Sequence, residues 1–261
     1  MYGVANLSVI SMRAEPSHRA ELVSQLLFGD AYHVLEQNPD WLQIETCDCN
    51  YVGWIDRRLH NPLSTEELQA YLAAPKYVVR DILFFVESMG VHARFPIFIG
   101  SSLPLPQNGI VTLGNSSFKV NFPKDNFTEE PSDLRARLLQ FATTYLQSPY
   151  LWGGRTPAGI DCSGFAQIVY KSIGISLPRD ASQQVACGTT VDFVEETEVG
   201  DLAFFENENG NITHVGMVCA PGQILHASAK VRIDLLDTTG IFSQEEGRYT
   251  HRLRIIKRLI N

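Results

Sequence analysis

Hydrophobic and polar residues alternate over short stretches through the first part of the chain. LSVISM, AELVSQLLFGDAYHVLEQ, WLQIET and YVGWID carry that pattern, with turn signals at Glu15-Pro16, Gly29-Asp30 and Asn38-Pro39 between them. Short strands with regular turns predict a small all-β barrel over residues 1–60. The period then lengthens. NPLSTEELQAYLAAPK (61–76) predicts a connecting helix: Ser64 caps its start, Glu67 completes a capping box and Pro75 stops it. Alternation returns in YVVRDILFFVE, FPIFIG and GIVTL, which predict a second small barrel over 77–125, and polar KDNFTEEP (124–131) reads as a linker.

From about residue 130 the texture becomes helical. DLRARLLQFATTYLQ sets Leu134, Leu138, Phe141 and Tyr145 at helical spacing, with Ser132 or Asp133 as cap. A Pro/Gly-rich loop, SPYLWGGRTPAGI, leads into a second helix, DCSGFAQIVYKSIG, which Gly174 ends. DLAFFE, HVGMVCA, QILHASA and VRIDLL then alternate as strands. Helices followed by strands predict an α+β domain over 130–261. The basic stretch Arg248 to Arg258 alternates with Leu and Ile and reads as a terminal strand with a solvated face.

Composition narrows the function classes. The chain has 261 residues, 44% hydrophobic and 19% charged, with a net charge of −8. It can bury a real core, and its length favours two or three domains. No Lys/Arg cluster is dense enough to track phosphates, so nucleic acid is not an expected partner. No apolar run reaches the roughly 18 residues of a membrane span. The segment MYGVANLSVISMRAEPS lacks the features of a secretory signal. The expected location is cytoplasmic if Met1 is the native start, and periplasmic or secreted if a leader has been removed. The 5 cysteines, Cys47, Cys49, Cys162, Cys187 and Cys219, leave at least one thiol unpaired within the chain. Cys47 and Cys49 would lie on one side of a strand, too close for an easy disulfide, and no Cys or His stands at zinc-ligand spacing near them. Free thiols, no metal and no cofactor are expected; the oligomeric state is not legible.

Cys162 stands where the Gly/Pro-rich loop meets a helix start. Unpaired N–H groups and the positive end of the helix dipole favour a thiolate there, and the thiolate is the nucleophile. A lone cysteine is also commonly a small buried apolar residue. His214 opens the strand H-V-G-M-V-C-A, where an imidazole can take the thiol proton and later protonate a leaving amine. His226, in I-L-H-A-S, falls on the neighbouring antiparallel strand if a hairpin turns at Pro221-Gly222, and can orient the first imidazole. Either histidine read singly also fits a structural role.

The order of these pieces carries a resemblance. P-Y-L-W-G-G (149–154), D-C-S-G-F (161–165), L-P-R-D (177–180), V-G-D-L-A-F-F (199–205), H-V-G-M-V (214–218) and I-L-H-A-S (224–228) resemble the NlpC family of papain-like cell-wall cysteine peptidases. The resemblance implies a papain-like α+β catalytic domain, with helices packed on an antiparallel sheet, and Cys162, His214 and His226 as the catalytic set. It implies hydrolysis of the γ-D-glutamyl–diamino acid bond of murein peptides, the diamino acid being meso-diaminopimelate or lysine. It also implies that Tyr150 helps hold the oxyanion, or else packs the loop. Asp161, Ser163, Arg179 and Asp180 are expected on the substrate side, with a loop-anchoring salt bridge as the other reading of Arg179.

The strand Tyr51-Val52-Gly53-Trp54-Ile55, following W-x-x-I, resembles bacterial SH3-like domains. The expected architecture is therefore two small SH3-like barrels before the catalytic domain. That layout resembles enzymes that cut free murein peptides with an unblocked N-terminal L-Ala, such as L-Ala-γ-D-Glu-diaminopimelate, and the resemblance implies an acid and a tyrosine of the first barrel meeting the substrate ammonium. Tyr51 is the candidate tyrosine, and Glu21 the candidate acid, with Glu15 and Asp30 competing. A secreted wall hydrolase that binds wall polymer through its SH3-like domains, and a non-catalytic wall-binding protein, are the alternatives.

Overall fold

A computed structural model of the chain describes residues 1–121 and 133–260. The polar segment 124–131 and Ser132 lie outside them. The chain divides into two compact units, Met1–Glu130 and Pro131–Asn261.

The N-terminal unit begins with β1 (Tyr2–Val4), β2 (Val9–Arg13), β3 (Leu22–Leu27), β4 (Ala31–Gln37), β5 (Trp41–Thr46), β6 (Val52–Asp56) and β7 (Pro62–Leu63). They form one antiparallel sheet in the order β3-β2-β6-β5-β4-β1-β7. The alternation sends Ile10, Met12, Leu26, Tyr32, Leu42, Ile44 and Ile55 into a single core. The turn after β3 needs its glycine: Gly29 has φ +88°, and a Cβ there would stand 1.6 Å from the Ser102 carbonyl oxygen. Cys47 and Cys49 sit in the turn between β5 and β6, not along a strand, and all cysteines are free thiols.

The segment 61–76 is helical only over α1 (Thr65–Ala73), because Pro62–Leu63 pairs with β1. The capping box forms as expected: Ser64 Oγ accepts from the Glu67 N–H at 3.1 Å, and the Glu67 carboxylate accepts from the Ser64 N–H at 2.7 Å. Beyond it lie β8 (Lys76–Val78), β9 (Leu83–Ser88), β10 (Ala93–Phe98), β11 (Ser102–Pro104), β12 (Ile110–Leu113) and β13 (Ser116–Val120). β10-β9-β13-β12 make a sheet, and β8 pairs with β11. The helix is more than a connector. Leu68 and Tyr71 enter a core that also holds Val4 from the first sheet, Phe28 from the turn after β3, and Phe84, Val86, Ile97 and Phe118 from the second. Modules of about 60 residues bury too little surface alone, and a shared core offsets that deficit.

The C-terminal unit opens with α2 (Leu134–Thr143), capped by Asp133, whose side chain accepts from the Arg135 and Ala136 N–H groups. A short ladder of β14 (Arg155–Thr156) and β15 (Gly159–Ile160) precedes α3 (Cys162–Lys171) and the single turn α4 (Ala181–Gln184). The strands are β16 (Thr189–Val191), β17 (Leu202–Glu206), β18 (Ile212–Ala220), β19 (Gln223–Ser228), β20 (Lys230–Leu236), β21 (Gly240–Ser243) and β22 (Arg248–Arg258). They run antiparallel in the order β16-β22-β17-β18-β19-β20-β21. β22 also pairs with β21 through Arg248 to Arg252, so the sheet closes on itself. α3 packs across β18 and β19 and is buried at every position from Cys162 to Tyr170, so its polar Gln167 finds a partner inside, Nε2 donating to the Leu177 carbonyl at 3.0 Å.

Candidate active site

The site starts at the junction of the Gly-rich loop and α3. Asp161 is the N-cap: Oδ1 accepts from the Gly164 N–H at 2.6 Å, and Oδ2 accepts from the Gly153 N–H at 2.8 Å. One carboxylate thus caps the helix and pins the loop before it. Gly164 has to be glycine, since a Cβ would meet the Gly154 carbonyl oxygen at 2.5 Å. Arg179 donates to both oxygens of Asp161, at 3.0 and 2.6 Å, and to Ser163 Oγ at 2.9 Å. At 2% and 5% exposure, Arg179 and Asp161 offer little surface to a substrate. The geometry is that of a clamp under the first turn of α3, which is the loop-anchoring reading of Arg179. Asp180 is the half-buried N-cap of α4 and makes no capping bond through its side chain. Burial raises its carboxyl, Arg179 opposes that, and Asp161 reinforces it.

Cys162 is the first residue of α3 and is buried. Burial, then the Asp161 carboxylate, push its thiol up to about 12, while the N–H groups of Val215 and Ser163 and the charge of Arg179 pull it down by less. Burial and the adjacent carboxylate thus oppose the thiolate that the helix start favours. The thiol has to give up its proton to a base as it attacks.

That base is next door. Val215, whose N–H meets the thiol, follows His214 on β18. His214 Nε2 lies 2.9 Å from His226 Nδ1, and His226 Nε2 lies 3.1 Å from Asp234 Oδ2. The hairpin pairs Gly216 with His226, so His214 and His226 are diagonal neighbours on one face. Gly216 makes the diagonal possible: a Cβ there would stand 2.9 Å from the Cβ of His226. The chain of contacts sets the tautomers. An ionised Asp234 accepts from His226 Nε2–H, so His226 Nδ1 accepts from His214 Nε2–H, leaving His214 Nδ1 bare as a base. Burial opposes ionisation of Asp234, but the bond from His226 and the charge of Arg232 hold its carboxyl below the usual range. Burial, with His251 and His226 nearby, holds His214 well below the ordinary value of 6.5, so it is neutral and able to accept.

Asp234 and His251 are the members that the sequence reading missed. Asp234 lies on β20 with Arg232, whose Nε is 2.8 Å from Asp234 Oδ2. Alternation in VRIDLL gives the strand but suggests the opposite face: Ile233 and Leu235 are each 41% exposed, whereas Arg232 and Asp234 are buried. Charged residues alternating with apolar ones beside a histidine strand are the signal that could have found them. His251, on β22, stacks on His214 with centroids 4.1 Å apart and planes 27° from parallel. His214, His226 and His251 are grouped closely enough to share a metal ion. Tyr150 lies half-buried in the loop before α3; burial, then Cys162, keep its hydroxyl protonated and therefore a donor. Tyr51 and Glu21 belong to the N-terminal unit, where Tyr51 packs on the core of the first sheet and its N–H donates to Thr46 Oγ1, and the Glu21 carbonyl pairs with the Ala14 N–H.

A protonated thiol, a neutral imidazole aligned by a second imidazole and a carboxylate, and a helix N-terminus form a nucleophile, base and orienting group, the constellation of a cysteine hydrolase. The relatives agree. Residues 147–250 match the model of the NlpC/P60 family, and residues 12–58 that of the bacterial dipeptidyl-peptidase SH3 domain. The γ-D-glutamyl-L-lysine dipeptidyl-peptidase of Bacillus subtilis is 38% identical over 244 residues, covering 85% of this chain and 78% of that protein. The protein of the same name from Bacillus cereus is 25% identical over 256 residues, covering 87% and 74%. A crystal structure of an NlpC/P60 family protein from Bacillus cereus superposes over the whole of both chains with a TM-score of 0.83 at 22% identity, a likeness of fold. The chain belongs to the NlpC/P60 family of cysteine peptidases, and it carries a bacterial SH3 domain before the peptidase domain.

Proposed function

We propose that the chain hydrolyses the γ-D-glutamyl–diamino acid bond of murein peptides, with Cys162 as nucleophile, His214 as base and acid, and His226 as the orienting residue. The observation that carries this reading is the His214–His226–Asp234 chain, which starts next to Val215, the residue whose N–H meets the Cys162 thiol. The bond specificity draws support from the relatives named γ-D-glutamyl-L-lysine dipeptidyl-peptidase. In this mechanism His214 Nδ1 takes the Cys162 proton as sulfur attacks the γ-carbonyl. Tyr150 and a backbone N–H at the start of α3 receive the oxyanion, and His214 returns the proton to the leaving amine. Water then hydrolyses the thioester. A free N-terminal L-Ala is preferred, as befits an enzyme of wall-peptide recycling.

Mass spectrometry of digests tests the bond and the terminus together. L-Ala-γ-D-Glu-diaminopimelate and its lysine counterpart should release L-Ala-D-Glu, the N-acetylated peptides should react far more slowly, and Cys162→Ala should release nothing while remaining folded. Equal cleavage of acetylated or glycan-linked peptides would favour a wall hydrolase instead.

A further inference from the structure

His214, His226 and His251 come from separate strands, and their ligand nitrogens lie within 4.8 Å of one another. His226 stands edge-on to the stacked pair, its ring 5.2 Å from His214 and 5.7 Å from His251, at 85° and 83°. The cluster already has the outer hydrogen bonds that ligating imidazoles use. His226 turns Nδ1 to the cluster and Nε2 to Asp234, and His251 Nδ1 is 2.8 Å from Thr250 Oγ1, which leaves Nε2. Imidazoles ligate in the neutral form. Arg232 is the cation that acts on all of them, and its charge is offset by Asp234 at 2.8 Å, Glu245 at 3.3 Å and Glu246 at 3.6 Å. Nitrogens around tetrahedral zinc, each about 2.0–2.1 Å from the metal, are about 3.3 Å apart. The His214–His226 pair at 2.9 Å has to open slightly, and His251, only half-buried, has to swing out of its stack on His214, because near-parallel imidazoles 4.1 Å apart cannot both aim a ring-plane lone pair at one ion.

We propose that this cluster is a binding site for a d-block divalent cation such as Zn²⁺, and that occupancy switches the peptidase off. Ligation through His214 Nε2 displaces the proton that now sits there, and Nδ1 takes one up from water, so the proton count is unchanged. His214 is then fixed in the tautomer that cannot accept from Cys162. The inhibitory half rests on the proposed role of His214, whereas binding of the metal does not.

The test uses Co²⁺ as the probe on the full chain carrying Cys162→Ser, so that no thiol ligates at the nucleophile position. Tetrahedral imidazole coordination should give d–d absorption at about 500–650 nm, saturating at about one Co²⁺ per chain and bleached by Zn²⁺. His251→Phe keeps an aromatic ring on His214 and should abolish the band, and His251→Gln serves the same purpose if the Phe variant does not fold. In the active enzyme Zn²⁺ should inhibit at micromolar levels, reversed by EDTA. The His251 variant, read against its own untreated rate, should need at least tenfold more. Absence of the band, or bands and zinc sensitivity unchanged by the His251 variants, would overturn the proposal. The Co²⁺ titration needs no substrate, so it succeeds or fails independently of the γ-D-glutamyl specificity.

Discussion

His226 reaches Asp234 at 3.1 Å through the nitrogen that faces away from His214. Asp234 therefore decides which edge of His226 accepts a proton, and through it which edge of His214 stays bare, although its own partners are His226 and Arg232. Asp234→Asn removes the charge and allows the opposite tautomer. The expected result is a fall of roughly 10–10³-fold in kcat with little change in KM, and an apparent acidic pKa displaced from that of the wild type. A steady-state pH series on both enzymes checks it.

Gly216 tests whether the diagonal of histidines needs its missing side chain. An alanine Cβ would stand 2.7 Å from Ile224 Cδ1 and 2.9 Å from the His226 Cβ. Gly216→Ala should cost about 1–3 kcal/mol by overpacking and lower kcat as well. Adding Ile224→Val removes the flexible end of the clash. Denaturant melts should then recover in part while the rate stays low, because His226 is still displaced.

The pH dependence follows from a neutral resting pair. His214 is competent when deprotonated, and its value lies well below 6.5, so kcat/KM should rise with pH through a midpoint below 6.5. With the thiol pushed up to about 12, no loss from its titration is expected between pH 7 and 9. The same burial affects stability. Protons bind the unfolded histidines first, so the contribution of His251 is full above 6.5 and is lost as pH falls from there toward about 4. Melting temperatures measured with EDTA present, from pH 8 to pH 4.5, should decline below pH 6.5. A flat curve across that range would contradict the buried neutral cluster.

Arg179 and Asp161 make a buried ion pair at 2.6 Å. Arg179→Leu strands the carboxylate and should destabilise the C-terminal unit by about 3–5 kcal/mol. Asp161→Asn together with Arg179→Leu should lose less than the sum of the single changes, because no buried charge is then left alone. Urea melts of the single and double variants read the coupling directly.

The sequence alone determined the local elements and the identity of the central residues. The capping box at Ser64 and Glu67, the helix that starts at Cys162 and the hairpin that carries His214 and His226 all rest on interactions between residues close along the chain, which leave periodic and capping signals. What lay beyond local signals was decided by packing. The two β modules share a core because Leu68 and Tyr71 are buried among residues of both sheets, a choice that period-two alternation in either module does not encode. Asp234 faces inward against the apolar alternation of its strand because an ionised carboxylate there completes the hydrogen bonds of a buried imidazole. His251 joins His214 only because β22 closes the sheet against both β17 and β21. Packing acts on Cys162 in the same way: the helix start was legible, but the desolvation that raises its thiol exists only in the folded unit.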